Sequence, residues 1–175
     1  MKSREKGFTI IELIIAVSIM ILVAGAAGPA IFQIFRNTER NSNYMTAVRQ
    51  VQNAGHWISR DAQMALVVTT DNLTLPDLLT LTWTEWDEED PIYHTANYYF
   101  DNLNGNIGQL KRHYWSTEGA DEQTLIAQYI YCNPADSANT TQVSFQDELL
   151  TVQLTALFRE SQETREYRIT HREEY

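Results

Sequence analysis

The first apolar run starts at Phe8 and does not turn polar until Arg36, and between Lys6 and Arg36 the single charged residue is Glu12. A run of this length exceeds the roughly 20 residues an α-helix needs to cross a hydrocarbon core about 30 Å thick. It predicts a spanning helix with a weak place at Gly25, Gly28 and Pro29. Proline removes an amide donor and crowds the carbonyl four residues back, so Pro29 is expected to kink or locally unwind the helix. Beyond Arg36 the pattern becomes amphipathic: Tyr44, Val48, Val51, Ala54 or Gly55, Ile58, Ala62 and Ala65 recur every three or four positions. Nothing between Phe35 and Asn41 compels a break. The two patterns predict one helix from Phe8 to about Ala65, about 85 Å long if straight at 1.5 Å per residue.

Downstream the period changes to two. Leu66 to Thr70 is β-branched and closes at Asp71-Asn72, and Leu79, Leu81 and Trp83 alternate with Thr80, Thr82 and Thr84. Tyr93 to Phe100 and Ile107 to Trp115 flank a polar loop whose Asn104-Gly105 is a strong hairpin signal. Leu125 to Tyr131 is ambiguous between a strand and a helical turn, and Asn133-Pro134 breaks the chain after it. Gln142 to Phe145, Leu149 to Arg159 and Arg165 to Arg172 read as further strands, the last charged enough for an edge. A long helix followed by antiparallel hairpins is an α+β pattern.

Of the 175 residues, about 140 lie outside the leader and apolar run, enough for one modest domain with its own core. Lys2, Arg4 and Lys6 precede the apolar run, so short basic flanks should stay cytoplasmic and place the body outside. With the leader set aside the chain is formally about twelve charges negative. A body this acidic repels phosphate backbones, and no basic cluster interleaved with aromatics offers a groove, so direct nucleic-acid binding is not expected. The lone Cys132 has no partner for an intramolecular disulfide and reads as a small buried apolar residue.

Glu12 is what an ordinary anchor would exclude, since a carboxylate near the middle of a spanning helix costs about 2.5 to 3.5 kcal/mol. Its context, Gly7-Phe8-Thr9-Ile10-Ile11-Glu12-Leu13, resembles the processing site of type IV prepilins and of type II secretion pseudopilins. The resemblance implies a cut between Gly7 and Phe8 by prepilin peptidase, followed by N-methylation of Phe8. It also implies a pilin-like fold, and Pro29 stands where family members commonly carry a proline. Residues 1–7 would be the removed leader, 8–35 the membrane and assembly helix, 36–65 its amphipathic continuation and 66–175 the β-rich part. The partners implied are prepilin peptidase, other pilin or pseudopilin subunits, the inner-membrane assembly platform and membrane lipid. Secretory removal of the whole run, with Ala24, Ala26 and Ala27 mimicking a cleavage site, ranks below this because the Gly-Phe-Thr-x-x-Glu pattern would then be coincidence.

Once cut, Phe8 carries a cationic amine, and Glu12 is expected to pair with that group on a neighbouring subunit, or within its own chain. The stretch from Asn97-Tyr98-Tyr99-Phe100 through Gly108-Gln109-Leu110-Lys111-Arg112, followed by strands about Tyr129 and Val152, looks like J-type minor pseudopilins or W-type minor pilins. The expected role is a minor subunit of a type IV pilus or type II secretion system, resident first in the inner membrane. A competence pilus for DNA uptake would use the same subunit chemistry. The alternative is a single-pass anchored extracytoplasmic binding domain that never polymerises.

Other chemistry is sparse. His56, His94, His113 and His171 lack metal-site spacing, so neither a metal nor another cofactor is expected. The run Glu85 to Asp90 could hold calcium but lacks the alternating ligands and turn glycine of a dedicated loop, and reads as a solvated charge run. Trp83, Trp86, Tyr98, Tyr99, Phe100, Tyr114, Trp115, Tyr129 and Tyr131 fall on expected strands, where most should be core. No nucleophile, base and oxyanion donor converge, so no catalytic residues and no enzymatic activity are expected.

Overall fold

The computed structural model describes residues 7–70, 75–86 and 90–170. The leader before Gly7, the Asp71-Asn72 turn, the middle of the candidate calcium run and the end of the last expected strand lie outside the described residues. Helix α1 spans Ile10–Met64 and is followed by strands β1 (Val67–Thr69), β2 (Asp77–Trp86), β3 (Pro91–Asn104) and β4 (Ile107–Ser116). Strands β5 (Asp121–Tyr131), β6 (Gln142–Gln146), β7 (Leu149–Phe158) and β8 (Ser161–Thr170) complete the chain. This is the expected α+β, pilin-like arrangement of a long N-terminal helix and an antiparallel sheet. The chain divides into two units between Ser42 and Asn43, described separately below.

In the unit ending at Ser42, α1 runs without interruption through Pro29, and every described side chain is exposed. Its surface is almost wholly aliphatic and aromatic from Phe8 to Phe35. By length and composition it is the one helix among the described residues that could cross a membrane.

In the second unit, α1 from Asn43 onward packs on the sheet. Ala47, Val48, Val51, Ala54, Gly55, Ile58, Asp61 and Ala62 are its buried positions, close to the amphipathic stripe but with an aspartate inside it. Against them lie Leu79 and Leu81 of β2, Tyr98 and Phe100 of β3, Leu110 of β4, Ile126 and Ile130 of β5, and Leu150, Val152 and Leu154 of β7. The sheet order is β1-β2-β3-β4-β5-β7-β6, with β8 paired to β7. β5 meets β7 at one ladder position, Ile130 opposite Ala156, where the two halves of the sheet join.

Leu125 to Tyr131 is strand, and β5 starts earlier, at Asp121. It is bulged: register against β4 shifts between Gly108 and Leu110 and again before Lys111, and Tyr129 sits at φ 60°. A bulge leaves ladder groups unpaired. Helix side chains answer it, since Gln50 Oε1 accepts from the Gln128 amide at 2.7 Å and Asn53 donates to the Ile126 carbonyl. Polar residues on the helix thus complete the backbone hydrogen bonding of a strand more than 70 positions away.

Two hairpins turn without glycine. Asp147 and Glu148, both at positive φ, link Gln146 to Leu149, the signature of a type I′ turn. Arg159, also at positive φ, and Glu160 link Phe158 to Ser161, which lets β8 begin four residues before the expected Arg165. The β3–β4 turn is centred on Gly105-Asn106, one position later than Asn104-Gly105, because Asn104 pairs with Ile107.

Gly55 is where helix and β8 come closest. A Cβ there would enter the Tyr167 ring, whose hydroxyl donates to the Val51 carbonyl at 3.2 Å. In an exposed helix Gly→Ala gains about 1 kcal/mol. Here overpacking outweighs that gain, and Gly55→Ala is expected to cost about 1–3 kcal/mol. Urea denaturation of the detergent-solubilised chain measures it, and a midpoint at or above wild type contradicts the close contact.

A neighbouring clamp joins the helix to β8 through charge. Tyr44 Oη donates to Glu163 Oε2 and Arg165 Nε to Glu163 Oε1, each at 2.8 Å. The Arg165 guanidinium, with help from the Tyr44 hydroxyl, holds the Glu163 carboxyl below the usual glutamate range. A carboxyl depressed in the folded state adds stability above its unfolded pKa and loses it as pH falls through the folded one. Glu163→Gln should therefore lower stability at neutral pH by under about 1 kcal/mol, because the pair is partly solvated. The gap from wild type closes on acidification below the unfolded value of about 4.3. Parallel melts across that range test it; a pH-independent gap contradicts the assignment.

Candidate functional site

Polar chemistry concentrates in two places, one in each unit. In the first, the chain enters α1 through Thr9. The Thr9 amide and hydroxyl both lie 3.2 Å from Glu12 Oε2, and the Glu12 amide donates to Thr9 Oγ1 at 3.4 Å. With Ile10 as the first helical residue, this is a capping box: Thr9 is the N-cap and Glu12 the third helical position, each satisfying a backbone amide of the other. Glu12 also lies in the first helical turn, where the helix dipole favours a carboxylate.

The sequence places Gly7 and Phe8 just before the cap, and both precede the helix. Phe8 is 86% exposed. Gly7 and Phe8, the two residues that flank the expected cut, are therefore exposed and outside the helix, and Glu12 sits one turn inside. Pro29 lies far along the same helix, which carries no unwound residues beside it. Thr9 was not among the expected site residues, although Ser/Thr-x-x-Glu ahead of an apolar run is the sequence signature that finds a capping box.

In the second unit, Asp61 of α1 is fully buried and receives the Tyr98 hydroxyl at 2.6 Å and Arg112 Nε on the same oxygen, Oδ2. Arg60 reaches Oδ1 at 3.2 Å. Both guanidiniums lie over the Trp57 ring, Arg60 at 4.2 Å and Arg112 at 5.3 Å from its centroid, and the Tyr114 ring centroid lies 4.8 Å from Arg112. Burial, then the Asp61 carboxylate, pushes the Tyr98 hydroxyl far up, so it stays a donor at every physiological pH. Burial opposes the charge on Arg112, and Asp61 overcomes it and raises the guanidinium pKa. This cluster fixes the helix against β3 and β4. Its signal in the sequence was Asp61 falling three positions after Ile58 on the apolar stripe, with Arg112 at an inward position of an alternating strand.

The aromatics divide differently from expectation. Tyr98 and Phe100 are core, and Trp83, His94 and Tyr114 stack across β2, β3 and β4 with centroids 5.4 to 6.0 Å apart. Trp86, Trp115 and Tyr129 are exposed, because alternation or the β5 bulge turns them away from the helix. Cys132 is buried, and burial raises its thiol pKa.

A model of the prokaryotic N-terminal methylation motif matches residues 2–28. Neither the curated proteins nor the solved structures give a match. The motif supports a type IV pilin-like or pseudopilin subunit and implies processing by prepilin peptidase and assembly with other pilins. Together with the apolar helix, it fits a single-pass inner-membrane anchor.

Proposed function

We propose that this chain is a minor pilin or pseudopilin of a type IV pilus or type II secretion system. It is clipped between Gly7 and Phe8, N-methylated on Phe8 and assembled through α1. The observation that carries the reading is the methylation motif over residues 2–28, because it joins the cut, the apolar run and Glu12 in one pattern. The exposed aliphatic surface of α1 from Phe8 to Phe35 supports it, since such a surface needs lipid or other apolar helices around it. The work of the protein is then mechanical: neighbouring helices bury the apolar run while the sheet unit meets other subunits or cargo, with the body outside the cytoplasmic membrane. Minor status rests on the likeness of the β3–β4 stretch to J-type and W-type subunits.

Glu12 has a distinct duty in this scheme. Carried into a packed filament without a partner, its carboxylate would pay a desolvation cost of several kcal/mol, and the methylated amine of Phe8 on the next subunit removes that cost at one register only. Mass spectrometry of the protein extracted from membranes containing active prepilin peptidase tests the scheme. The expected product starts at N-methylated Phe8; an intact Met1 start would favour a static anchored domain instead.

A further inference from the structure

The face of the sheet turned away from the helix carries a second feature that assembly through α1 does not use. Trp86 closes β2, Tyr93 lies near the start of β3 and Trp115 near the end of β4. Thr84 stands opposite Tyr93 and Thr95 opposite Trp115, so the three aromatics share the outer face as diagonal neighbours across consecutive ladders. Trp86 is 77% exposed, Tyr93 51% and Trp115 37%. His113 extends the row, its ring 4.8 Å from that of Trp115. Single exposed aromatics are ordinary, but three at diagonal ladder positions on one sheet face mark a contact surface, because tryptophan and tyrosine are over-represented among the residues that dominate interface energies.

Charge says what the contact surface fits. From Asp61 to Phe158 the chain has two basic residues, Lys111 and Arg112, against fifteen acidic ones. Both cations are engaged, Lys111 with Asp101 and Arg112 with the buried Asp61. At the aromatic end of the sheet, Asp121 stands opposite Trp115 and bonds His113 at 2.7 Å, while Asp90 precedes β3 and Glu118 lies in the β4–β5 turn. Asp121 thus has His113 beside it, whereas among the described residues no lysine or arginine pairs with Asp90 or Glu118. An apolar partner would desolvate Asp90 and Glu118 unpaired, and an anionic one would be repelled.

We propose that this end of the outer face docks a cationic protein surface. Arginine or lysine side chains of the partner lie over Trp86, Tyr93 and Trp115 and pair at the border with Asp90, Glu118 and Asp121. Aromatic faces attract guanidinium and ammonium groups through the ring quadrupole, and flanking carboxylates steer the partner in and fix its register.

Fluorescein-labelled deca-arginine is the probe, titrated by anisotropy into the full mature chain in nonionic micelles. Trp86→Ala/Trp115→Ala keeps every charge and is expected to weaken binding about tenfold or more, while Asp147→Asn/Glu148→Gln removes two charges elsewhere and changes it less than about twofold. Trp86→Ala alone, at the most exposed of the three positions, is expected to cost about threefold with an unchanged thermal melt. Equal binding by the aromatic variants and wild type reduces the interaction to diffuse charge and overturns the proposal. Sedimentation of wild type without peptide closes the remaining route: self-association abolished by Trp86→Ala would assign the face to a second copy of this chain and likewise overturn it.

Discussion

Asp61→Ala is expected to destabilise the sheet unit by about 3–5 kcal/mol, the largest single-residue effect in the described chain, because it strands Arg112 as a buried cation without its counter-charge. The geometry leaves little room for rescue. Arg112 and Tyr98 converge on one Asp61 oxygen, and Arg60 occupies the other from the half-exposed side. Removing the carboxylate leaves the buried Tyr98 hydroxyl without its acceptor as well, a further loss of the kind that costs about 1–3 kcal/mol. Asp61→Leu/Arg112→Met should recover most of the stability, since a well-packed apolar pair avoids desolvating two ions. Urea denaturation of the micelle-bound chain, followed by tryptophan fluorescence, gives the stabilities of wild type and both variants. A single variant within about 1 kcal/mol of wild type would show that Arg112 finds water instead.

Glu12→Gln and Glu12→Ala separate two duties that coincide at one carboxylate. Glutamine keeps an oxygen for the Thr9 amide and preserves the capping box, whose loss costs about 1 kcal/mol. It does not keep the charge that the proposed pairing with a neighbouring methylated amine requires. If pairing drives assembly, both variants are cut at Phe8 yet fall out of filaments or tip complexes about tenfold or more, since a buried cation without its partner costs several kcal/mol. If the cap is the whole role, Glu12→Gln assembles as wild type and only Glu12→Ala is impaired. Comparing the sheared or co-purified assembled fraction with the membrane fraction decides between them, and normal assembly of both variants removes Glu12 from the mechanism.

The two variants also show where sequence reasoning stops. Glu12 is conspicuous because a carboxylate interrupts an apolar run, yet the partner the structure gives it, Thr9, lies only three residues away. That contact is legible as a Thr-x-x-Glu spacing ahead of an apolar run, the sequence form of a capping box. Asp61 was harder. On the stripe through Ile58 and Ala62 it looks like an ordinary polar break, and its partners Tyr98 and Arg112 follow 37 and 51 residues later. The exposed aromatics reverse the same lesson, for their residue types favour strands without saying which side of the strand faces water.

Local pattern determined a great deal by itself. The length of the apolar run and a three-and-four spacing after it indicated the helix, period two indicated most of the strands, the Gly-Phe-Thr-Ile-Ile-Glu context pointed to processing, and counting charges gave the sign of the body. Each of these depends on neighbours in the chain, which a linear reading contains in full. The tertiary structure alone decided that Asp61 is sealed under the sheet, that Gln50 and Asn53 complete a bulged strand, that positive-φ turns form at Asp147-Glu148 and Arg159, and that Trp86, Tyr93 and Trp115 gather on one open face. The physical reason is common to all four. Burial, register and facing are set by how distant segments pack, and the free energy of a polar or aromatic group depends on the surroundings that packing supplies rather than on its place in the chain.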